Sequence, residues 1–92
     1  MKKLKTPQIR AALTGLPDWK KKGGTITCRR QFKDFPAAIK FVGSVARLAE
    51  RAWHHPDIDI RWNQVTLTLS THDAGGLTAK DFELAKKFDG VS

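Results

Sequence analysis

All three histidines of this 92-residue chain, His54, His55 and His72, fall in its second half. Imidazole titrates near neutral pH, so a histidine cluster can take one proton and give another within one reaction. Two other interpretations stay open from these residues alone. The histidines could simply be solvated groups, with the adjacent pair interacting with the last carbonyl groups of a helix. They could also bind a metal, although neighbouring histidines rarely converge on one ion, and we therefore predict no metal.

The segments on either side of Asn63-Gln64 are predicted to form a hairpin that positions these histidines. A two-residue loop there pairs apolar with apolar and polar with polar residues along both strands. The apolar pairs are Trp62/Val65, Ile60/Leu67 and Ile58/Leu69, and the polar pairs are Arg61/Thr66, Asp59/Thr68 and Asp57/Ser70. Continuing this register places His55 opposite His72 at the end of the polar face, with His54 beside them.

Three helices are predicted around this hairpin and an earlier one. The first helix begins with Thr6 as its N-cap and Pro7 as its first helical residue. The second begins at Asp34 or Phe35 and ends before Pro56. Its apolar side is formed by Ala38, Ile39, Val42, Val45, Ala46, Ala49 and Ala52, widened by Phe41 and Leu48. The third helix begins at Thr78, which forms a capping box with Asp81.

The earlier hairpin turns at Gly23-Gly24, between residues 19–22 and residues 25–31. The order is then helix, two strands, helix, two strands, helix, which predicts the α+β class. We expect a four-stranded antiparallel sheet with three helices packed on one face. The length suits a single domain spanning residues 1–92.

The charge of the chain is concentrated near its start. The chain holds 17 Lys and Arg against nine Asp and Glu, a net charge of +8, and residues 1–33 contain ten of the basic residues and one acid, Asp18. Such an excess raises nucleic acid as a partner, but no exposed aromatic set is interleaved with the lysines, so nucleic acid is the less favoured partner. No stretch resembles a membrane span or a signal peptide. The single cysteine, Cys28, excludes an intramolecular disulfide. We predict a cytoplasmic protein without a membrane partner.

Several gapped motifs resemble the pterin-4a-carbinolamine dehydratase family. They are residues 50–56 (Glu-Arg-Ala-Trp-His-His-Pro), Trp62, residues 70–73 (Ser-Thr-His-Asp), and residues 75–78 (Gly-Gly-Leu-Thr) followed by Asp81. The segment Leu16-Pro17-Asp18-Trp19 resembles the family's N-terminal tryptophan segment. The resemblance covers about residues 7–90. Its implied fold, a four-stranded antiparallel sheet with three helices on one face, agrees with the element order above.

The resemblance implies a lyase that dehydrates 4a-hydroxytetrahydropterin to quinonoid dihydropterin. This carbinolamine is left after aromatic amino-acid hydroxylation, so the activity would support recycling of the tetrahydrobiopterin cofactor. The reaction removes a proton from N5 and expels the C4a hydroxyl as water, which needs a base and an acid but no metal or redox cofactor. The family also implies a homodimer or a homotetramer.

The resemblance gives His54, His55 and His72 as the catalytic residues. His55 and His54 are expected to be the acid–base pair, and His72 is expected to orient the substrate or assist the departing hydroxyl. The division of roles within this group is left open by the sequence.

Trp19, Asp81 and Pro56 are expected to bind the substrate. Trp19 matches a tryptophan lining the family's pterin site, but it could equally be a core aromatic residue. Asp81 matches the family's active-site acid and can also cap the third helix. Pro56 belongs to the His-His-Pro motif and could be structural. Trp53 departs from the family's small polar or acidic residue, and it could narrow the pocket mouth or fill an interface.

A second function stays open, in which the chain is a protein-binding scaffold rather than an enzyme. Some relatives are dimerisation partners of transcription factors, and degenerate ones act as Rubisco assembly factors. A scaffold would not need the histidine motif, which is complete here. The sequence therefore favours the enzyme over the protein partner.

Overall fold

Helices and hairpins alternate along the chain in the computed structural model, which describes residues 2–91. The elements are α1 (Thr6–Leu13), β1 (Lys20–Lys22), β2 (Thr25–Gln31), α2 (Phe35–Ala52), β3 (Asp57–Arg61), β4 (Gln64–Leu69) and α3 (Ala79–Asp89). The four strands form one antiparallel sheet in the order β1-β2-β4-β3. The predicted α+β class and element order are confirmed.

Capping residues begin α2 and α3 as predicted, and in α3 the N–H of the N-cap Thr78 donates to the Asp81 carboxylate at 2.9 Å. Asp34 is the N-cap of α2, and its carboxylate accepts a hydrogen bond from the Ala37 N–H at 2.9 Å. In α1 the N-cap is Lys5 rather than Thr6. The Gln8 side chain accepts a hydrogen bond from the Lys5 N–H at 2.8 Å, which satisfies this otherwise free donor and starts the helix one residue earlier.

One face of the sheet is covered by the helices, and the other is open. The covered face buries Ile26, Cys28, Val65, Leu67 and Leu69 against Ile9 of α1, Ala38, Phe41, Val45 and Ala49 of α2, and Leu84, Ala85 and Phe88 of α3. The buried line of α2 thus runs through Phe41, whereas Ile39 is exposed. The open face carries mostly threonines and charged residues, as the alternation along the strands predicts.

The β3–β4 hairpin has the predicted faces but a different register. Ile58 pairs with Leu67 and Ile60 with Val65, so the turn is at Trp62-Asn63 and not at Asn63-Gln64. Asn63 explains the difference, because its side chain donates to the Phe32 carbonyl at 2.7 Å and its own carbonyl accepts from the Phe32 N–H at 2.8 Å. These contacts hold Asn63 against the segment after β2. A displacement of two residues leaves the side chains of β3 and β4 on their predicted faces, but Trp62, predicted to pair with Val65, lies in the turn and is exposed.

Cys28 lies in the core and is free. Burial raises the pKa of its thiol above the ordinary value, and the nearby Arg30 only partly opposes this rise. The thiol therefore stays protonated at neutral pH and packs as a small apolar side chain. Within residues 2–91, no helix combines the length and the apolar character that crossing a membrane would require.

Candidate active site

A pocket of about 300 Å³ lies at the end of the sheet where α2 ends, β4 ends and α3 begins. It is lined by Trp53, His54, His55, Ser70, Thr71, His72, Asp73 and Lys80. All three histidines therefore reach one cavity, as the sequence predicts. A volume of this size is at the lower end of the range for small-molecule sites, about 300–1,000 Å³.

The way α2 ends places His54 in this pocket. The Trp53 N–H donates to the Glu50 carbonyl and the His54 N–H donates to the Ala49 carbonyl, each at 3.2 Å. Trp53 itself has φ 51° and ψ 40°, in the left-handed region. These features form a Schellman motif, which turns the chain sharply after the helix. The turn brings the His54 ring from the end of α2 to the start of α3.

Asp81, in the first turn of α3, holds the His54 ring. Its fully buried carboxylate lies 2.5 Å from His54 Nε2 through Oδ1, and its Oδ2 accepts from the Thr78 N–H at 2.9 Å and from the Thr71 hydroxyl at 2.8 Å. The Thr71 and Thr78 hydroxyl oxygens are 2.9 Å apart. A carboxylate only accepts hydrogen bonds, so Nε2 carries the hydrogen and Nδ1 of the neutral ring is free to take a proton. Asp81 therefore caps the helix and orients a pocket histidine at once.

A second histidine is also held by a carboxylate. His55 Nε2 lies 2.6 Å from Glu50 Oε1, and the His55 side chain is 56% exposed, against 11% for His54. The two adjacent histidines thus occupy different environments, one enclosed and one open to water.

His72 begins a short 3₁₀ turn, His72–Ala74, in the loop between β4 and α3. Thr71 and Gly76 close this loop through two backbone hydrogen bonds of 2.9 and 3.3 Å. Gly75 has φ 76°, a conformation that glycine adopts without strain, which allows the tight closure. The β3–β4 ladder ends at Asp57 and Thr68, so His55 and His72 meet across the pocket and not as a strand pair.

Trp19 and Pro56 are not brought to the histidine pocket. Trp19 is 3% exposed, its ring stacks on Phe88 with centroids 6.5 Å apart, and its indole N–H donates to Asp89 at 2.9 Å. Asp89 follows Asp81 by eight residues along α3, a rise of about 12 Å. Trp19 is therefore the core aromatic residue that the sequence left as its alternative. Pro56 is half-buried just before β3 and is not among the residues that line the pocket.

Thr71 and Lys80 are pocket residues that the sequence did not single out. Thr71 is part of the Ser-Thr-His-Asp motif, but its role becomes visible only in the structure, where it forms hydrogen bonds with Thr78 and Asp81. Lys80 lines the pocket because it lies in the first turn of α3, one residue before Asp81. Among residues 2–91, no three His, Cys, Asp or Glu side chains are grouped closely enough to hold a metal ion.

A larger hollow of about 550 Å³ lies on the open face of the sheet. It is lined by Asp18, Lys20, Lys22, Thr25, Thr27, Arg29, Thr66 and Thr68. Three of these side chains, Lys20, Lys22 and Arg29, belong to the basic excess of residues 1–33. The hollow has no histidine and no aromatic side chain among these residues, so it offers neither a side chain that ordinarily titrates near neutral pH nor a face that would stack on a base. The smaller pocket, which is lined by all three histidines, is therefore the candidate site for acid–base chemistry.

The comparisons with known sequences indicate one protein family. Residues 2–91 match the family model described as pterin 4 alpha carbinolamine dehydratase. A protein of Nocardia farcinica named "Putative pterin-4-alpha-carbinolamine dehydratase" is 57% identical over 86 residues, covering 94% of this chain and 90% of its own. A protein of Roseiflexus castenholzii with the same name is 54% identical over 88 residues, covering 96% of this chain and 95% of its own.

Comparison with solved structures gives the same fold. A transcriptional coactivator/pterin dehydratase from Brucella melitensis superposes with a TM-score of 0.92 at 34% identity, covering 96% of both chains. A pterin dehydratase-like protein identified as a RuBisCO assembly factor in the alpha-carboxysome gives a TM-score of 0.64 at 22% identity, covering 78% of this chain and 83% of its own. The second likeness concerns the fold alone.

Proposed function

The chain belongs to the pterin 4 alpha carbinolamine dehydratase family, and we propose that it dehydrates 4a-hydroxytetrahydropterin to quinonoid dihydropterin. The observation that carries the proposal is the pocket in which three histidines meet, two of them held by carboxylates. A protein-binding scaffold would need no such arrangement. The enzyme is therefore favoured over the scaffold.

The reaction is balanced by two proton transfers. A base removes the hydrogen from N5, and the electron pair left on N5 forms the double bond to C4a. The C4a–O bond breaks, and the hydroxyl leaves as water after an acid protonates it. No electrons are gained or lost overall, so histidines alone supply what the reaction requires.

We assign the base to His54. Its Nε2 hydrogen is directed at Asp81, and this leaves Nδ1 as the proton acceptor. Thr71 and Thr78 donate to the other oxygen of Asp81, which fixes the carboxylate and therefore the ring. Because the His54 ring is mostly enclosed, it is already held in one orientation when the substrate binds and keeps that orientation during the reaction.

We assign the acid to His55. Its ring is held by Glu50 and is more than half exposed, so it can take up a new proton from water after each turnover. His72 lines the same pocket and is proposed to orient the substrate or assist the departing hydroxyl. Lys80, also at the pocket, is proposed to face the carbonyl edge of the pterin ring.

An activity assay tests this proposal directly. Freshly generated 4a-hydroxytetrahydropterin loses water slowly by itself, and its conversion to the quinonoid product is followed by absorbance. We expect the protein to raise this rate, with first-order dependence on enzyme concentration and with saturation by substrate. An unchanged spontaneous rate at micromolar protein would contradict the proposed function.

The chain is further proposed to form a homodimer or homotetramer. Ile58 and Ile60 lie on the helix side of β3, an edge strand, and both remain exposed together with Ile39 of α2. Exposed apolar residues beside an unpaired strand edge favour association with another chain. Light scattering should give a mass of two or four chains, and Ile60→Lys should lower it. A wild-type monomer at assay concentration would contradict this prediction.

The product must be reduced before the pterin can serve a hydroxylase again. We therefore propose that the enzyme supports the recycling of tetrahydrobiopterin or a related pterin. The cytoplasmic location stays a prediction from the sequence.

A further inference from the structure

Trp53 occupies a position at which its side chain is stabilised little by packing within the fold. It follows the last residue of α2 and has φ 51° and ψ 40°. Helices that end in this way usually have glycine, or sometimes asparagine, at this position, because a Cβ atom is unfavourable there. The Trp53 residue is 79% exposed, so little of its apolar surface is buried in return.

A bulky residue that is both strained and exposed indicates a role other than stabilising the fold. Trp53 lines the histidine pocket together with His54, His55 and His72. The Schellman motif fixes its backbone through the hydrogen bonds from Trp53 and His54 to the end of α2. The indole therefore stands at the pocket on a rigid turn and immediately precedes the two proposed acid–base residues.

We propose that the indole of Trp53 is the surface on which the pteridine ring of the substrate stacks. Indole presents the largest aromatic face among the side chains, and a flat nitrogen heterocycle stacks well on it. Stacking on the face opposite the C4a hydroxyl would hold the substrate beside the histidines and leave both that hydroxyl and the N5 hydrogen accessible to them. The inference rests on the proposed dehydratase function and adds a substrate-binding residue to it.

The other two tryptophans do not fit this role. Trp19 is enclosed in the core, with its indole N–H bound to Asp89. Trp62 is exposed, but it lies in the β3–β4 turn, separated from the pocket end of the sheet by the five residues of β3. At about 3.4 Å per residue, that strand spans about 17 Å.

Trp62 supplies a matched control. It is 70% exposed and has φ 53°, so it shares with Trp53 the residue type, the exposure and the left-handed backbone. Asparagine tolerates this backbone better than tryptophan does. Both Trp53→Asn and Trp62→Asn should therefore fold, with Tm unchanged or raised by up to about 8 °C.

The kinetic test compares these two variants with 4a-hydroxytetrahydropterin as substrate. Trp53→Asn should raise KM by about tenfold or more, because stacking of a heterocycle on an aromatic side chain contributes this much or more to binding. Its kcat should stay within about threefold of wild type, since the acid–base groups are intact. Trp62→Asn should leave both constants unchanged.

A binding measurement checks the same contact without turnover. Titration with 7,8-dihydropterin should quench tryptophan fluorescence in the wild type and in Trp62→Asn, after correction for absorption by the pterin. Trp53→Asn should lose most of this quenching, and Trp53→Phe should keep KM nearer to the wild-type value because a smaller aromatic face remains.

The outcomes separate the two proposals. A wild-type protein without dehydratase activity would overturn the proposed function and this inference with it. An active wild type in which Trp53→Asn leaves KM and quenching unchanged would overturn the stacking role alone. A Trp53→Asn variant whose oligomer dissociates, with KM restored at high protein concentration, would instead make Trp53 an interface residue and would also overturn it.

Discussion

Replacing His55 with alanine is expected to lower kcat for pterin carbinolamine dehydration by about 10²–10⁴-fold, the usual contribution of a positioned general acid or base. The side chain is 56% exposed and its one bonded partner, Glu50, is a surface carboxylate. Its removal therefore changes the stability little, and the loss of rate reports chemistry. Steady-state kinetics and thermal unfolding on the same preparation measure both effects.

Two further measurements sharpen this prediction. Added imidazole should restore part of the rate of His55→Ala, because the pocket is open to solvent beside this residue. Glu50→Gln keeps an oxygen that can accept the His55 hydrogen bond, and we expect a smaller loss of kcat than for His55→Ala. A His55→Ala variant within about threefold of the wild-type kcat would remove this residue from the acid–base pair.

The strand faces could be predicted from the sequence, but the strand register could not. Apolar and polar residues alternate along β3 and β4, and this alternation fixes which side chains face the helices. Displacing one strand by two residues leaves the alternation intact. The alternation therefore distinguishes poorly between a turn at Asn63-Gln64 and a turn at Trp62-Asn63. The difference comes from Asn63, whose hydrogen bonds to Phe32 join segments about thirty residues apart.

The site could be predicted as a group of residues, but its internal contacts could not. The spacing of the histidines and the hairpin brought His54, His55 and His72 to one end of the sheet, and the structure has them in one pocket. The capping-box pattern identified Asp81, and the family resemblance gave it a second role. Local patterns say nothing about which donors from other elements reach this carboxylate, here His54 at Oδ1 and Thr71 at Oδ2 beside the capping N–H of Thr78.

The different environments of Trp19 and Trp53 have the same origin. Trp19 lies in a segment that resembles the family's tryptophan segment, which favoured a place in the pterin site. Whether an indole is enclosed depends on partners far along the chain, here Phe88 and Asp89 in α3. Trp53 is exposed because α2 ends there and the chain turns away, which is a property of the backbone conformation at that residue.

Replacing Asp81 with alanine is expected to affect both stability and activity. Its buried carboxylate accepts hydrogen bonds from the Thr78 N–H and the Thr71 hydroxyl and holds His54 Nε2. All three donors lose their acceptor when it is removed, which should cost about 3–5 kcal/mol of unfolding free energy. For a domain of this size, this corresponds to a fall in Tm of at least about 12 °C. Thermal unfolding followed by circular dichroism measures this loss.

Asp81→Asn and Asp34→Ala separate the structural part of this effect from the catalytic part. Asp34 also begins a helix with its carboxylate but faces no histidine, so Asp34→Ala should cost about 1 kcal/mol and leave kcat unchanged. Asp81→Asn keeps the shape of the side chain, but its amide can donate to His54 and so favour the tautomer in which Nδ1 carries the hydrogen. We therefore expect Asp81→Asn to remain folded while kcat falls by about 10²-fold or more. A folded Asp81→Asn variant with wild-type kcat would show that this carboxylate acts only as a helix cap.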